Sequence, residues 1–268
     1  MSSPYYDFAQ IYDACMDDIP YEAWAGFLKR QFDEYGIAPG ALVLDLGCGT
    51  GTFTLLLRDL GYDMIGADIS ESMLEVAREK YYESLENEEE SGESKAPVLF
   101  LQQDMRSFEL YGTVGAVVAM CDTMNYASGP EDLETVFRLV NNYLDPGGLF
   151  IFDLKTRHYF HDVVGDRTFT DVRDDMALIW ENEFEEETGK NTYRLTMFLE
   201  NEEGTYERSE EVHEQNAFSA ETVKQAIEKS GLRLERVYEV GEDGTAQEAT
   251  GREETAERLF FICREQMK

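Results

Sequence analysis

The sequence predicts an α/β protein: a doubly wound, mostly parallel sheet of seven strands with helices on both faces, carrying a small antiparallel sheet inserted late in the chain. Three observations predict it. Between Leu42 and Leu154 short apolar runs alternate with segments of helical period, the pattern of parallel strands joined by crossover helices. Three glycines, Gly47, Gly49 and Gly51, stand where the first strand gives way to a helix, the place where open α/β sheets bind ligands. From residue 168 to 218 the apolar period drops to two, which marks antiparallel strands.

The elements follow in order. Residues 5–35 carry helical periodicity rich in aromatics, with a break near Pro20, so one or two helices are expected. Leu42 to Leu46 is a buried strand, 52–60 a helix ended by Gly61, and Met64 to Asp68 a second strand. Ser70 can cap the next helix, whose inner face is Met73, Leu74, Ala77 and Tyr81. The charge run "ESLENEEESGESK" has no apolar pattern and reads as a solvated loop or helix end. "PVLFLQQDM" and "GAVVAMCD" are the third and fourth strands, 131–144 a helix stopped by "DPGG", and "LFIFDL" the fifth strand. Three or four meandering strands follow, too polar on one face to stand alone. A helix at 219–230 and two strands, "LRLERVYEV" and "RLFFICRE", complete the main sheet, with the acidic stretch between them a surface loop. The expected units are a helical cap at 1–38, the main domain at 39–160 and 216–268, and the inserted sheet at 161–215, packed over the mouth of the main sheet as a lid.

Composition narrows the function. Fifty-six acidic against 23 basic residues give a net charge of −33, a surface that repels phosphate backbones and anionic lipid. Nucleic acid and membranes are therefore not expected partners. No apolar run approaches the length of a membrane span, and the N-terminus lacks the basic-then-apolar layout of a signal peptide, so a cytoplasmic location is expected. Cys15, Cys48, Cys121 and Cys263 are scattered, which fits free thiols and offers no ligand set for a metal.

The glycine turn narrows it further. Glycine bends the backbone sharply and lets a ligand approach with no Cβ in the way. Asp68 ends the second strand 21 residues after Gly47, a spacing that suits a carboxylate gripping ribose hydroxyls. Dinucleotide enzymes use nearly the same arrangement, but their third glycine comes one residue later than in "GCGTG". Asp45 precedes the turn, and Asp68 and Asp104 end the next two strands. Carboxylates so placed disfavour a pyrophosphate and favour a cationic nucleoside.

These stretches together carry a resemblance. "VLDLGCGTGTFTLLL", "MIGADISESMLEVAREK", "LQQDM", "VVAMCDTMNY" and "LDPGGLFIFDL" resemble, in order, the motifs of class I S-adenosylmethionine-dependent methyltransferases, a Rossmann-like family. The inserted sheet and "YYDFAQIYDACMDD" are further similar to small-molecule members related to glycine and amino-sugar N-methyltransferases. The resemblance implies S-adenosylmethionine as cofactor and S-adenosylhomocysteine as product. It implies that Gly47, Gly49 and Gly51 form the turn against the methionine part, which Asp45 orients. Asp68 would bind the ribose, Ile69 and Met73 would pack on adenine, and Asp104 would accept from its amino group beside Met105. Cys121 and Asp122 would line the wall near the sulfonium, and Tyr5 and Tyr12 would close over the cofactor.

The expected reaction is methyl transfer to an N or O nucleophile of a small molecule. Such a site must hold the nucleophile in line and exclude water; a base is needed only if the nucleophile arrives protonated. His158, His213 and Tyr126 are the candidates for that role. Asn125, Tyr126, Lys155, Arg157, Trp180, Tyr193, Arg194 and His213 are the candidates for substrate contact, with His161 close behind His158. A monomer or homodimer is expected. The other readings left by the residues are an NAD-dependent oxidoreductase and an inactive S-adenosylmethionine-binding module.

Overall fold

The computed structural model describes residues 4–91, 95–201, 203–241 and 243–266, with the side chains of 4–7 and 89–91 left out of the description. Two helices open it, α1 (Pro4–Cys15) and α2 (Tyr21–Tyr35), separated at Pro20. The next elements are β1 (Leu42–Leu46), α3 (Thr52–Asp59), β2 (Asp63–Asp68), α4 (Glu71–Ser91), β3 (Val98–Gln102), β4 (Val114–Ala119), α5 (Pro130–Tyr143) and β5 (Leu144–Lys155). Four strands follow, β6 (Thr168–Val172), β7 (Met176–Glu185), β8 (Lys190–Glu200) and β9 (Tyr206–Asn216). The chain then runs through α6 (Ala220–Lys229), β10 (Leu232–Val240), β11 (Ala246–Glu248) and β12 (Arg258–Glu265).

The main sheet has eight strands in the order β11-β10-β12-β5-β4-β1-β2-β3, one more than the seven expected. The extra strand is the three-residue β11, which pairs antiparallel with β10 inside the stretch read as a loop. Its charged, glycine-flanked sequence carries no period long enough to betray a strand. β3, β2, β1, β4 and β5 are parallel, whereas β12 runs antiparallel between β5 and β10. The fifth strand also starts earlier than "LFIFDL", at Leu144, because "DPGG" is absorbed as an irregularity in its pairing with β4. The charge run after Tyr82 continues α4 as helix to Ser91.

Both faces of the sheet are covered. α5 and α6 close one core around Phe137, Phe150, Phe152 and Phe261. α2 and α3 close the other around Trp24, Leu28, Phe53 and Phe260. The second sheet, β6-β7-β8-β9, is wholly antiparallel. Its inner face, Met176, Leu178, Leu195 and Met197, packs on Ile11 of α1. The first helix is thereby buried between the glycine turn and the inserted sheet. Among the described residues no helix is long and apolar enough to cross a membrane.

Candidate functional site

Strand order reverses between β1 and β4, and a cavity of about 650 Å³ opens at the carboxyl ends of these two strands, where ligands of such sheets bind. It extends from the glycine turn, under α1, to the aromatic inner face of the inserted sheet.

At the lower end the backbone does much of the work. Gly47, Gly49 and Gly51 all have left-handed φ, at +78°, +52° and +77°. A Cβ on Gly47 would meet the Thr123 side chain at 2.3 Å, so the close approach of the two loops admits only glycine. A Cβ on Gly49 would meet no protein atom within 4 Å, and this glycine borders the cavity. Gly51 stands behind the cavity lining as the residue that starts α3, close to Ala77 and Phe100.

Two carboxylates flank this turn. Asp68 accepts the N–H of Gly49 and of Ser70, each at 2.8 Å. Asp45 is buried and accepts the Thr54 hydroxyl at 2.6 Å. Burial pushes the Asp45 carboxyl up to about 7, the Thr54 hydroxyl acting against it and the Asp68 charge with it. Burial likewise raises Asp68, against its two backbone donors. Neither has a basic side chain as partner among the described residues, so this end of the cavity is a negative site that a bound cation would relieve. A carboxylate oxygen accepting one N–H keeps room for hydroxyl donors. The open space at Gly49 and the unanswered carboxylates thus fit S-adenosylmethionine, which brings a ribose, an ammonium and a sulfonium. Ile69, Met73, Asp104 and Met105 line the same end. Asp104 is held by Arg106, whose Nη2 lies 2.6 Å away and whose hydrogen bond lowers the carboxyl further. This arginine escaped the sequence reading.

The wall after β4 is strained. Cys121 and Asp122 have φ of +57° and +56°, a region that non-glycine residues occupy only when the surroundings impose it. The imposing contacts are buried and charged. The Asp122 N–H donates to Asp153 at 3.1 Å. The Asp122 carboxylate accepts from Gln215 at 2.6 Å and Arg258 at 3.1 Å, with Lys155 3.4 Å away. Arg258 also pairs with Asp153 and lies 5.0 Å over the Trp24 ring. Burial works against the Asp122 charge, but Lys155 and Arg258 hold its carboxyl low. Burial raises Asp153. Two acids thus face two bases at the largely buried wall of the cavity, an arrangement that removal of one partner would upset severely. Burial also raises the Cys121 thiol, which keeps it from acting as a nucleophile.

The upper end is built by α1, the 3₁₀ turn Thr123–Tyr126 and the strands β7 to β9. The Tyr126 hydroxyl is 2.7 Å from the Tyr193 hydroxyl and 3.2 Å from His213 Nδ1. The Tyr193 and His213 rings stack at 4.9 Å across the β8–β9 pair. Trp180, Lys155 and Tyr12 complete this lining. Phe8, Tyr159 and Gln215 join it as well, though nothing in the sequence distinguished them from packing residues.

Other expected site residues lie elsewhere. Asn125 is fully buried behind the wall, donating to the carbonyls of Lys155 and Asn216 and accepting the Lys155 N–H. Arg157 donates to the Glu186 carbonyl and lies over Phe184. Arg194 is exposed beside Glu183. His158 and His161 share Asp162, outside the cavity lining. The helical and strand periods do not reveal which of these faces the mouth. The side chain of Tyr5 lies outside the described residues.

The first helix is fastened at the turn. Asp13 accepts the Thr50 hydroxyl at 2.6 Å and pairs with Lys80 at 2.7 Å, and Lys80 donates to Thr52 at 2.8 Å.

Comparison with known proteins agrees with this geometry. A family model described as a methyltransferase domain matches residues 43–148. YqeM of Bacillus subtilis (strain 168), which carries a methyltransferase name, is 33% identical over 96% of this chain and 95% of its own. A solved S-adenosylmethionine-dependent methyltransferase from Clostridium acetobutylicum ATCC 824 superposes with a TM-score of 0.82 at 24% identity, covering 99% of this chain and 100% of that one. CalS10 with bound S-adenosylmethionine, an amino pentose methyltransferase from Micromonospora echinaspora, superposes at 0.69 with 17% identity, covering 96% and 97%. The motif order, the glycine turn with its carboxylates and the full-length match to YqeM place the chain among the class I S-adenosylmethionine-dependent methyltransferases.

Proposed function

We propose that the chain methylates an N or O nucleophile of a small molecule, with the 161–215 insertion as the lid that selects it. One observation carries this reading: a single cavity of about 650 Å³ joins the glycine turn to the Tyr126, Tyr193 and His213 cluster. That volume lies within the range of small-molecule sites. A polymer substrate would need an open groove, and a surface of net charge −33 opposes nucleic acid. An amino pentose methyltransferase of the same fold supports the same class.

S-adenosylmethionine supplies a methyl group on a sulfonium, already a good leaving group. The chain's own part is placement. Gly47 and Gly49 leave room against the backbone, while Asp45 and Asp68 favour positive charge. The strained Cys121–Asp122 wall fixes one side of the reaction space, and α1 with the inserted sheet covers the other.

The test has two stages. S-adenosylhomocysteine should raise the melting temperature and NAD should not; stabilisation by NAD alone would refute the reading. Labelled methyl should then pass from S-adenosylmethionine to a component of a small-metabolite extract. Tight cofactor binding with no transfer to any pool would instead mark a binding module without activity.

A further inference from the structure

The upper end of the cavity contains a directed chain of hydrogen bonds that a positioning role alone does not require. Glu211 is buried on β9, and its Oε2 lies 3.1 Å from His213 Nε2. With this carboxylate as the accepting partner, Nε2 is the nitrogen that carries the proton. Nδ1 is then a bare lone pair facing the Tyr126 hydroxyl at 3.2 Å. Tyr126 donates to it and in turn accepts from Tyr193 at 2.7 Å. The Tyr193 oxygen is left as an acceptor at the cavity lining. The direction of every bond follows from the carboxylate at one end.

Two further features favour proton uptake. The other Glu211 oxygen, Oε1, is buried with no hydrogen-bond partner among the described residues, so a proton arriving on His213 places positive charge beside a carboxyl group that has no other cation against it there. Burial raises both tyrosines, which keeps them as hydroxyls able to pass a proton on. The groups facing His213 are Glu211 on its own strand, Tyr193 on β8, Tyr126 on the 3₁₀ turn and Phe8 on α1. Tyr12 and Asp122 face the Tyr193 end.

We propose that Tyr193, Tyr126, His213 and Glu211 form a proton-accepting relay for the methyl acceptor. The acceptor is accordingly a small molecule that arrives protonated at its attacking atom, a hydroxyl or an ammonium. This rests on the reading above that the cavity is a methyl-transfer site. The acceptor's proton passes to Tyr193, that of Tyr193 to Tyr126, and that of Tyr126 to His213 Nδ1. A hydroxyl gives up this proton as it attacks, and an ammonium gives it up first and so gains the lone pair that attacks. That lone pair forms the bond to the methyl carbon as the carbon–sulfur bond breaks, its electron pair staying on sulfur. The imidazolium rests on Glu211 and returns its proton to water when the products leave. Tyr193 touches the acceptor, Tyr126 and His213 carry the proton onward, and Glu211 acts through His213 and is a positioning residue.

Two measurements test the relay. The first needs no acceptor. In the full chain with ¹⁵N-labelled histidine and bound S-adenosylhomocysteine, His213 should be protonated at Nε2 and bare at Nδ1 near neutral pH; the opposite tautomer overturns the proposal. The second follows labelled methyl from S-adenosylmethionine into a panel of catechols and sugars and a panel of amino sugars and amino acids, which separates hydroxyl from ammonium acceptors. His213→Gln and Glu211→Gln should lower kcat by about 10²–10⁴-fold at neutral pH. Their affinity for S-adenosylhomocysteine should be unchanged, and His158→Asn should behave as wild type. The His213→Gln deficit should shrink as pH rises and the acceptor loses its proton unaided. A kcat within about threefold of wild type, or a deficit flat with pH, overturns the relay. If the wild type binds S-adenosylhomocysteine yet methylates neither panel, the acceptor reading is what fails, and the tautomer alone then decides the relay.

Discussion

The two ends of the cavity are made in different ways. The lower end is backbone and uncompensated charge: three left-handed glycines, the buried Asp45 and the half-buried Asp68, all within residues 45–68. The upper end is side chains gathered from α1, the turn after β4, the end of β5 with the residues just after it, and three strands of the inserted sheet. A ligand held by backbone depends on the shape of a turn and tolerates little change. A ligand held by projecting side chains can be exchanged for another by substitution on a fixed scaffold. The same molecule can thus keep one cofactor while its acceptor varies.

This contrast is open to direct attack. Gly47→Ala should have the largest effect. Its Cβ would overlap Thr123 at 2.3 Å and impose a left-handed alanine, about 1–3 kcal/mol of strain before any clash. Stabilisation by S-adenosylhomocysteine in a thermal scan should vanish; a retained shift would mean that the turn is softer than its geometry. Asn125→Ala attacks the upper wall from behind. It strands the N–H and carbonyl of Lys155 and the carbonyl of Asn216, which should cost about 3 kcal/mol in denaturant unfolding. A loss of acceptor binding with full stability would instead mean that Asn125 turns into the cavity.

The lower end was largely legible in sequence because its signals are local. Glycines at alternate positions and an acid at each strand end need no partner to be recognised. The upper end was not, because an alternating strand declares a two-faced pattern without saying which face meets which neighbour. Asn125, Arg157, Arg194 and His158 looked as eligible as Tyr193 and His213, and the fold separated them. Arg258 was overlooked for the same reason, since its partners Asp122 and Asp153 reach it only when distant strands meet; Arg106 was overlooked although its partner Asp104 is two residues away. β11 was missed because three residues, Ala246 to Glu248, are too few to show a period.

The third prediction concerns pH. Burial sets the Asp45 carboxyl at about 7 in the folded protein, above its ordinary value near 3.9. The native state therefore binds more protons than the unfolded chain between those values, and the unliganded protein should lose stability as pH rises from about 4 to about 7. Binding of the cationic cofactor should run the other way, weakening by up to about tenfold per unit as pH falls below 7. Calorimetric titrations across this range would show it, and Asp45→Asn should flatten the curve. The smallest effect is expected for Asp13→Ala, which unfastens α1 from the glycine turn. The Asp13–Lys80 pair is partly exposed, so stability should fall by less than about 1 kcal/mol, while limited proteolysis within residues 1–20 should quicken.

The buried charge network has a consequence for synthesis. Asp122 and Asp153 are emplaced early, but the guanidinium that answers both belongs to Arg258, 136 residues after Asp122. On a ribosome the glycine turn emerges long before that arginine does. Until β12 slides between β5 and β10, the strained wall has Lys155, Gln215 and Asp153 but no guanidinium, so a nascent chain with every cofactor-facing motif already made still lacks the group that answers both buried acids. The wall's charge balance is completed by a strand bearing none of the family's motifs.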